Sequence, residues 1–503
     1  MTAAQSVDAL SVEPHALPLR QDTLPQHDGQ LRVPTYDRSR LSRGVVHMSV
    51  GGFSRSHQLS YFDDLAEQRL TDEWGVVGVG LHSSTMKDAL APQDYLYTVV
   101  ERSGEHENAR VVGALIDYHF APDDPDAVLA TLTAGSVRLV TMTITGTGYL
   151  LDGDGEFQPD DDVRHDLEHP ERPCTVFGFL VEALDRRRRA GVAPFTVLSC
   201  DNMQSNGTAT RNAVLAFARL RDEVLARWIA DHVSFPSSMV DRITPSTGPE
   251  ERDSVARTYG VDDRWPVITE PFTQWVVEDD FCNGSPPLDE VGVSFVPEVS
   301  AHELMKTRLL NAGHSALGYL GTLAGYATTD EVMADPVMHD YLAALMSREV
   351  APMLPQPEGV DLAEYQQVLL ERFANPAIGD GLDRLCRRGS TKMPNYLLPS
   401  LGQALAEGRE HRLLALAVAG WFRYLRGTHL DGRVIDVHDA HAEALGELAR
   451  AGGNDPRPLL RERWLFSDIA DHEQLAVEVQ QALESLEAHG VRETVAAWTA
   501  RDL

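Results

Sequence analysis

The chain has only four cysteines, Cys174, Cys200, Cys282 and Cys386, and no two of them form a CxxC pair. That spacing excludes a disulfide framework and a cysteine-based zinc cage, and it fits a reducing, cytoplasmic setting. Long apolar runs are missing too, since no stretch reaches the roughly eighteen apolar residues of a membrane span. The opening of the chain mixes Pro, His, Asp and Arg without the apolar centre of an export signal. Positive charge is scarce. Against 76 acidic residues stand 44 Lys and Arg, a formal net charge of −32. The excess is spread along the chain, where it would repel nucleic-acid phosphates and anionic membranes and serve instead as a solubilising surface. No nucleic acid and no membrane is therefore expected as a partner.

What is present is an ordinary globular composition, 43% apolar and 24% charged, over 503 residues. One hydrophobic core rarely supports that length, so two domains are expected. The segment from Met1 to about Gly44, with Pro14, Pro18, Pro25 and Pro34, reads as an extended arm. A short apolar run, Val45 to Met48, ends at Gly51-Gly52 and passes into the helix-like SRSHQLSYFDDL, which spells strand, tight turn, helix. WGVVGVG, YLYTVVE, VRLVTMTI and FTVLSC are further strand candidates. Between them VFGFLVEALDRRRRAG has helical spacing, a basic last turn and Gly191 as its stop. The alternation argues for a doubly wound nucleotide-binding domain. After Pro297 the pattern changes to long amphipathic runs at 301–326, 361–388, 399–426 and 470–489. The expected organisation is an α/β Rossmann-type domain over 1–296 and a mostly α-helical domain over 297–503.

Three places offer chemistry. In the turn HMSVGGF, Gly51 and Gly52 can let a pyrophosphate approach the amides at a helix start, although Ser49 stands where the first glycine of a GxGxxG pattern would fall. In the helix after Pro297, Lys306, Glu303, His314 and Asn311 fall within one sector of about 140° at helical spacing, opposite Met305, Leu309, Ala312, Ala316 and Leu320. Taken alone, such a face is more often solvated than functional. Asp201 and Asn202 follow FTVLSC directly, at the carboxyl end of a strand, where open α/β sheets hold their ligands; an Asx turn or helix cap is the plainer interpretation.

Taken in order, seven stretches carry a family resemblance: VHMSVGGFSRSHQLSYFDDL, TVFGFLVEALDRRRRAG, FTVLSCDNMQSNG, FPSSMVDRITP, EPFTQWVVEDDF, MKTRLLNAGHSALGYLG and GSTKMPNYLLPS. They resemble the polyol-specific long-chain dehydrogenases, and within these the mannitol 2-dehydrogenase type. The resemblance implies NAD or NADP as cofactor, with NAD slightly favoured, and a small polyol or ketose as substrate, D-mannitol to D-fructose first and D-arabinitol or D-sorbitol next. It implies Lys306 as catalytic base, Asn202 and Asn311 as oxyanion donors, and His314 as the group orienting the substrate. Glu303, Asp241, Arg384 and Lys392 correspond to residues at the substrate end. Ser49, Gly51, Gly52, Phe53, Ser84, Thr85 and Val240 fall where the family holds its cofactor. A monomer or small homo-oligomer is expected.

The residue chemistry agrees with that carry-over. Oxidising a secondary alcohol needs a base, donors for the developing alkoxide and an acceptor at the carbinol carbon. A lysine serves as base when its neutral form is populated, which burial and neighbouring cations favour. Amide N–H groups stabilise the oxyanion without adding charge. No metal is needed, and no ligand spacing for one is seen. Two departures stand out. LHSSTMK after WGVVGVG lacks the acidic residues with which many relatives hold the adenosine ribose, so looser cofactor selectivity is expected, and Gly146 stands where relatives often have glutamate. A hexuronate reductase acting on fructuronate or tagaturonate is the nearest alternative, and a catalytically silent sugar- or nucleotide-binding regulator a remote one.

Overall fold

The computed structural model describes residues 16–104, 106–152 and 155–500. These form two compact units. Residues up to Arg102 and from His106 to Val299 make the first, and Ser103 and Gly104 join Ser300 onward in the second.

The first unit is built on five parallel strands, β1 (Arg43–Met48), β2 (Gly75–Gly80), β3 (Leu115–Phe120), β4 (Leu139–Met142) and β5 (Thr196–Ser199), in the order β3-β2-β1-β4-β5. Valine-rich runs suit strands buried on both faces. Successive side chains alternate between two cores: Val46, Val77, Val140 and Val197 pack into one, and Val45, Val76, Leu139 and Leu198 into the other. This order is that of a Rossmann-type sheet. A second small sheet places β6 (Ser238–Asp241) antiparallel to β7 (Gln274–Glu278), which in turn runs parallel to β8 (Ser294–Val296). β6 and β7 carried too little periodicity to be read from the sequence, whereas β8 lies in VGVSFV, the strand-like run that ends at Pro297.

Two expectations need correction here. SRSHQLSYFDDL is two helices, α1 (Gly52–Ser56) and α2 (Gln58–Glu67), broken at His57. In the RRRR run the expected basic last turn and the Gly191 stop are present, and Arg187 has a further role. It is fully buried, donates to the carbonyls of Ala134 and Val137 at 2.6 Å, and lies over the Phe195 ring. The arm, as far as it is described, is not simply extended. Leu17–Pro18 pairs with Val261–Asp262, a helical turn spans Leu24–His27, and Leu19, Leu24 and Leu31 are buried beside Val100 and Val111. Pro14 lies outside the described residues.

The second unit is helical, and its described residues from Ser300 onward contain no strand, only isolated bridges such as Thr328 with Gly381. Two of the amphipathic runs are broken. The run at 361–388 splits into α8 (Leu362–Phe373) and α9 (Leu382–Cys386), around Pro376 and Gly379, whose φ is +55°. The run at 399–426 splits at Gly408, φ +64°.

Candidate active site

The turn after β1 keeps the expected strand-turn-helix form. Ser49 sits at φ +69°, in the left-handed region where a glycine costs nothing and a serine is strained. Thr143 donates to the Ser49 carbonyl at 3.0 Å and, on its other side, lies 3.2 Å from Nε2 of the buried His47. His47 Nδ1 is 2.8 Å from Thr141 Oγ1. Burial lowers the His47 pKa to about 3, so the ring is neutral and serves this turn as a hydrogen-bonding brace. Gly51 and Gly52 have a different reason to be glycine. A Cβ on Gly51 would meet nothing within 4 Å, and one on Gly52 only Thr244 Cγ2 at 3.9 Å. Neither glycine is demanded by the protein's own packing, so the open space in front of them fits the close approach of a dinucleotide phosphate. Phe53 stacks on His57 with ring centroids 5.0 Å apart.

Val240 and Asp241 end β6 and are buried. The next residues tie them to α1: Arg242 donates to the Ser56 carbonyl at 2.6 Å, and Ser56 Oγ lies 2.8 Å from Thr244 Oγ1. The two cofactor segments named from the sequence are thus joined.

At the end of β2 the polar groups are already engaged. Ser84 donates to Asp88 at 2.7 Å, Ser83 and Thr85 hydroxyls are 2.7 Å apart, and Lys87 pairs with Asp123 at 3.6 Å. A carboxylate does therefore stand at this strand end, one residue beyond the stretch in which the sequence lacked it.

Asn202 is exposed at the carboxyl end of β5, and its neighbour Asp201 is buried. Asp201 accepts from the amides of Ile144 at 3.0 Å and Thr145 at 2.8 Å and from the Tyr149 hydroxyl at 2.8 Å. The plain Asx turn does not describe it, because these partners lie in another loop. Burial pushes its carboxyl up, opposed by those three bonds.

In the second unit the lysine helix is not one regular helix. Ser300–Met305 (α6) is α-helical, Lys306–Asn311 forms a π-turn, and Ala312–Ala324 (α7) is α-helical again. π-turns inside helices recur at functional sites because the extra residue re-aims side chains. The face drawn at uniform helical spacing is therefore corrected, and it is not solvated: Glu303, Lys306 and Asn311 are all buried. The Asn311 Nδ2 donor has no hydrogen-bond partner among the described residues. His314 packs against Phe373 at 4.4 Å, and its Nε2 likewise has no partner among them. Burial drives the His314 pKa well below its usual range, reinforced by Arg384, Arg372, Lys392 and Lys306. Burial and these cations disfavour the protonated ring.

Arg384 is held by Asp380, with Nε donating at 2.6 Å and a second guanidinium contact alongside. Lys392 donates to the carbonyls of Leu385 at 2.9 Å and Arg384 at 3.2 Å, and burial with Arg384 lowers its pKa to about 8. The second unit thus brings the charges of Lys306, Arg384 and Lys392 to bear on His314, which joins two of the catalytic residues implied by the resemblance to two of its four substrate-end residues. Sequence reading missed Arg372, Phe373 and Asp380, which join this set from α8 and the loop after it. In the first unit it missed Tyr149 and Thr143. One unforeseen cluster brings His165, Asp166 and Cys174 ligand atoms within 4.8 Å of one another. Asp166 is occupied there by the Cys174 and Thr175 amides at 2.8 Å, bracing the start of the helix Val176–Ala190. Among the described residues no helix is long and apolar enough to cross a membrane.

Residues 43–290 match the family model of the mannitol dehydrogenase Rossmann domain, and residues 298–487 that of the mannitol dehydrogenase C-terminal domain. The chain is 44% identical to mannitol dehydrogenase 2 of Saccharomyces cerevisiae over 95% of this chain and 96% of that protein. It is 44% identical to mannitol 2-dehydrogenase of Phaeosphaeria nodorum over 97% of this chain and 86% of the other. Among solved structures it is similar to Pseudomonas fluorescens mannitol 2-dehydrogenase in ternary complex with NAD and D-mannitol, with a TM-score of 0.87, 40% identity, and coverage of 96% of this chain and 99% of that one. A substrate-free D-sorbitol dehydrogenase matches with a TM-score of 0.88 at 34% identity, covering 95% and 100%.

Proposed function

The chain belongs to the mannitol dehydrogenase family in both of its parts, and on that premise we propose that it reversibly oxidises D-mannitol to D-fructose with NAD. In this reading residues 1–296 bind the dinucleotide, residues 297–503 bind the polyol, and the protein works as a monomer or small homo-oligomer.

The observation that carries the chemistry is the buried π-turn, which holds an amine, Lys306, together with an amide donor, Asn311 Nδ2, that has no partner among the described residues. A buried idle donor is costly, and it becomes useful when an alkoxide develops beside it. Lys306 takes the hydroxyl proton of the substrate in oxidation and returns it in reduction. Asn311 and Asn202 donate to the oxygen as its charge grows. Burial and the neighbouring cations disfavour a protonated His314, so its role in this reading is to orient the substrate by hydrogen bonding. Glu303, Asp241, Arg384 and Lys392 hold the remaining hydroxyls, the last two fixed in place by Asp380 and two backbone carbonyls. Bound NAD supplies the acceptor for the carbinol hydrogen, with Ser49, Gly51, Gly52 and Phe53 around its pyrophosphate, Ser84 and Thr85 toward its ribose and Val240 near its nicotinamide.

NAD is preferred over NADP, because Asp88 and Asp123 neutralise the local donor and cation that a 2′-phosphate would need. The test is a spectrophotometric panel of D-mannitol, D-sorbitol, D-arabinitol, D-fructose and fructuronate against both cofactors. Highest kcat/KM with D-mannitol and D-fructose supports the proposal. Turnover restricted to fructuronate contradicts it.

A further inference from the structure

The first unit offers an exposed asparagine, Asn202, on a loop that runs between two hydrogen-bonded side chains, Asp201 and Asn206. For a group that meets the reacting oxygen, a misplacement of about 1 Å can cost two orders of magnitude in rate. Something has to hold this loop still.

Asp201 meets that need from one side. Its Oδ1 accepts from Thr145 N at 2.8 Å, and its Oδ2 from Ile144 N at 3.0 Å and Tyr149 Oη at 2.8 Å. The Tyr149 hydroxyl lies 2.5 Å from Ser199 Oγ, in β5 itself, so the contact closes back on the strand that carries Asn202. From the other side Asn206 donates to the Asp201 carbonyl at 3.0 Å and the Ser238 carbonyl at 2.7 Å, and accepts from Ser238 N at 2.9 Å. The loop is thereby tied both to the β4 exit and to β6, the strand of Val240 and Asp241. The β4 exit is itself strained. Thr145 has φ +65° and ψ 157°, a region that non-glycine residues occupy only when surrounding contacts hold them. Such strain collects where geometry matters to function.

We propose that Asp201 is a positioning residue for the reaction, acting through Asn202 by clamping the Thr145 turn and the Asn202 loop into one rigid body. The inference rests on the role given to Asn202 above. Asp201 touches neither substrate nor cofactor in this account, so its effect belongs in kcat and not in cofactor affinity.

A double-mutant cycle tests it. Asp201→Asn keeps the shape but presents an amide N–H to backbone donors. It is expected to lower kcat for D-mannitol at least about tenfold, with the NAD dissociation constant, read by fluorescence titration, nearly unchanged. In an Asn202→Ala background the same change should lower kcat less than about twofold, because the residue it acts through is gone. Tyr149→Phe removes the hydroxyl that links Asp201 to Ser199 but leaves both backbone bonds to Asp201, and should show the same pattern at smaller amplitude, which keeps the cycle available if Asp201→Asn folds poorly. Equal losses in both backgrounds, or full kcat in Asp201→Asn, overturn the inference alone. An Asn202→Ala enzyme with full kcat overturns the role of Asn202 and the inference with it.

Discussion

Thr143 donates its hydroxyl to the carbonyl oxygen of Ser49 at 3.0 Å, and so holds a serine in the left-handed turn proposed to open the dinucleotide site. A left-handed non-glycine residue costs about 1 kcal/mol. Ser49→Gly should therefore raise stability toward urea by up to about 1 kcal/mol, whereas Thr143→Val, which removes the brace, should lower it and weaken NAD binding. Equilibrium denaturation with a parallel NAD titration checks both. A Ser49→Gly protein less stable than the parent contradicts the account of this turn.

Glu349 gives the second unit a stability that depends on pH. It is buried and accepts from the amides of Leu413 and Leu414 at the start of the helix Arg412–Leu425, and burial raises its pKa to about 7. The unfolded value is about 4.3, so between these two the native state holds a proton that the unfolded chain has lost. The contribution is fully present below the unfolded pKa and is lost as pH rises through the native one. Glu349→Gln should flatten the fall in stability between pH 5 and pH 8 by as much as about 3 kcal/mol. Thermal melts of both proteins across that window read the difference, and parallel profiles contradict it.

Cofactor choice follows from the groups at the end of β2. With Ser84 engaged by Asp88 and Lys87 by Asp123, NADP should turn over measurably but below NAD. Asp88→Asn should raise kcat/KM for NADP relative to NAD several-fold, by removing a negative charge from the position proposed for the 2′-phosphate. An unchanged ratio places the ribose elsewhere.

Because the proposed base is an amine, chelation should leave turnover intact. Prolonged dialysis against a strong chelator followed by assay with D-mannitol is the check, and activity lost to the chelator and restored by zinc contradicts it.

The sequence made parts of this architecture legible and concealed others for physical reasons. β1 and β2 were readable because a strand buried on both faces is a nearly unbroken valine run, as at Val45-Val46 and Val76-Val77. The Asn311 and His314 directions were not, because the π-turn at Lys306–Asn311 departs from the even spacing on which a helical wheel relies. The break between Phe373 and Leu382 was hidden by apolar residues that keep helical spacing on either side of it. Arg372 and Asp380 could not be found from local pattern, since one acts on His314 and the other on Arg384, and both depend on how separate helices pack. Asp201 was visible as a residue, but its partners Ile144, Thr145 and Tyr149 belong to a different strand exit.

The most direct test of the central claim is the pH profile of Lys306→Ala with D-mannitol, beside that of the parent enzyme. With Lys306 as the base, oxidation by the parent rises with pH as its neutral form is populated and ketone reduction falls. The variant should lose about two to four orders of magnitude in kcat, lose that pH dependence, keep its NAD affinity and regain part of its rate with a small added amine. A variant with near-parental turnover and the same pH profile would contradict the assignment of Lys306.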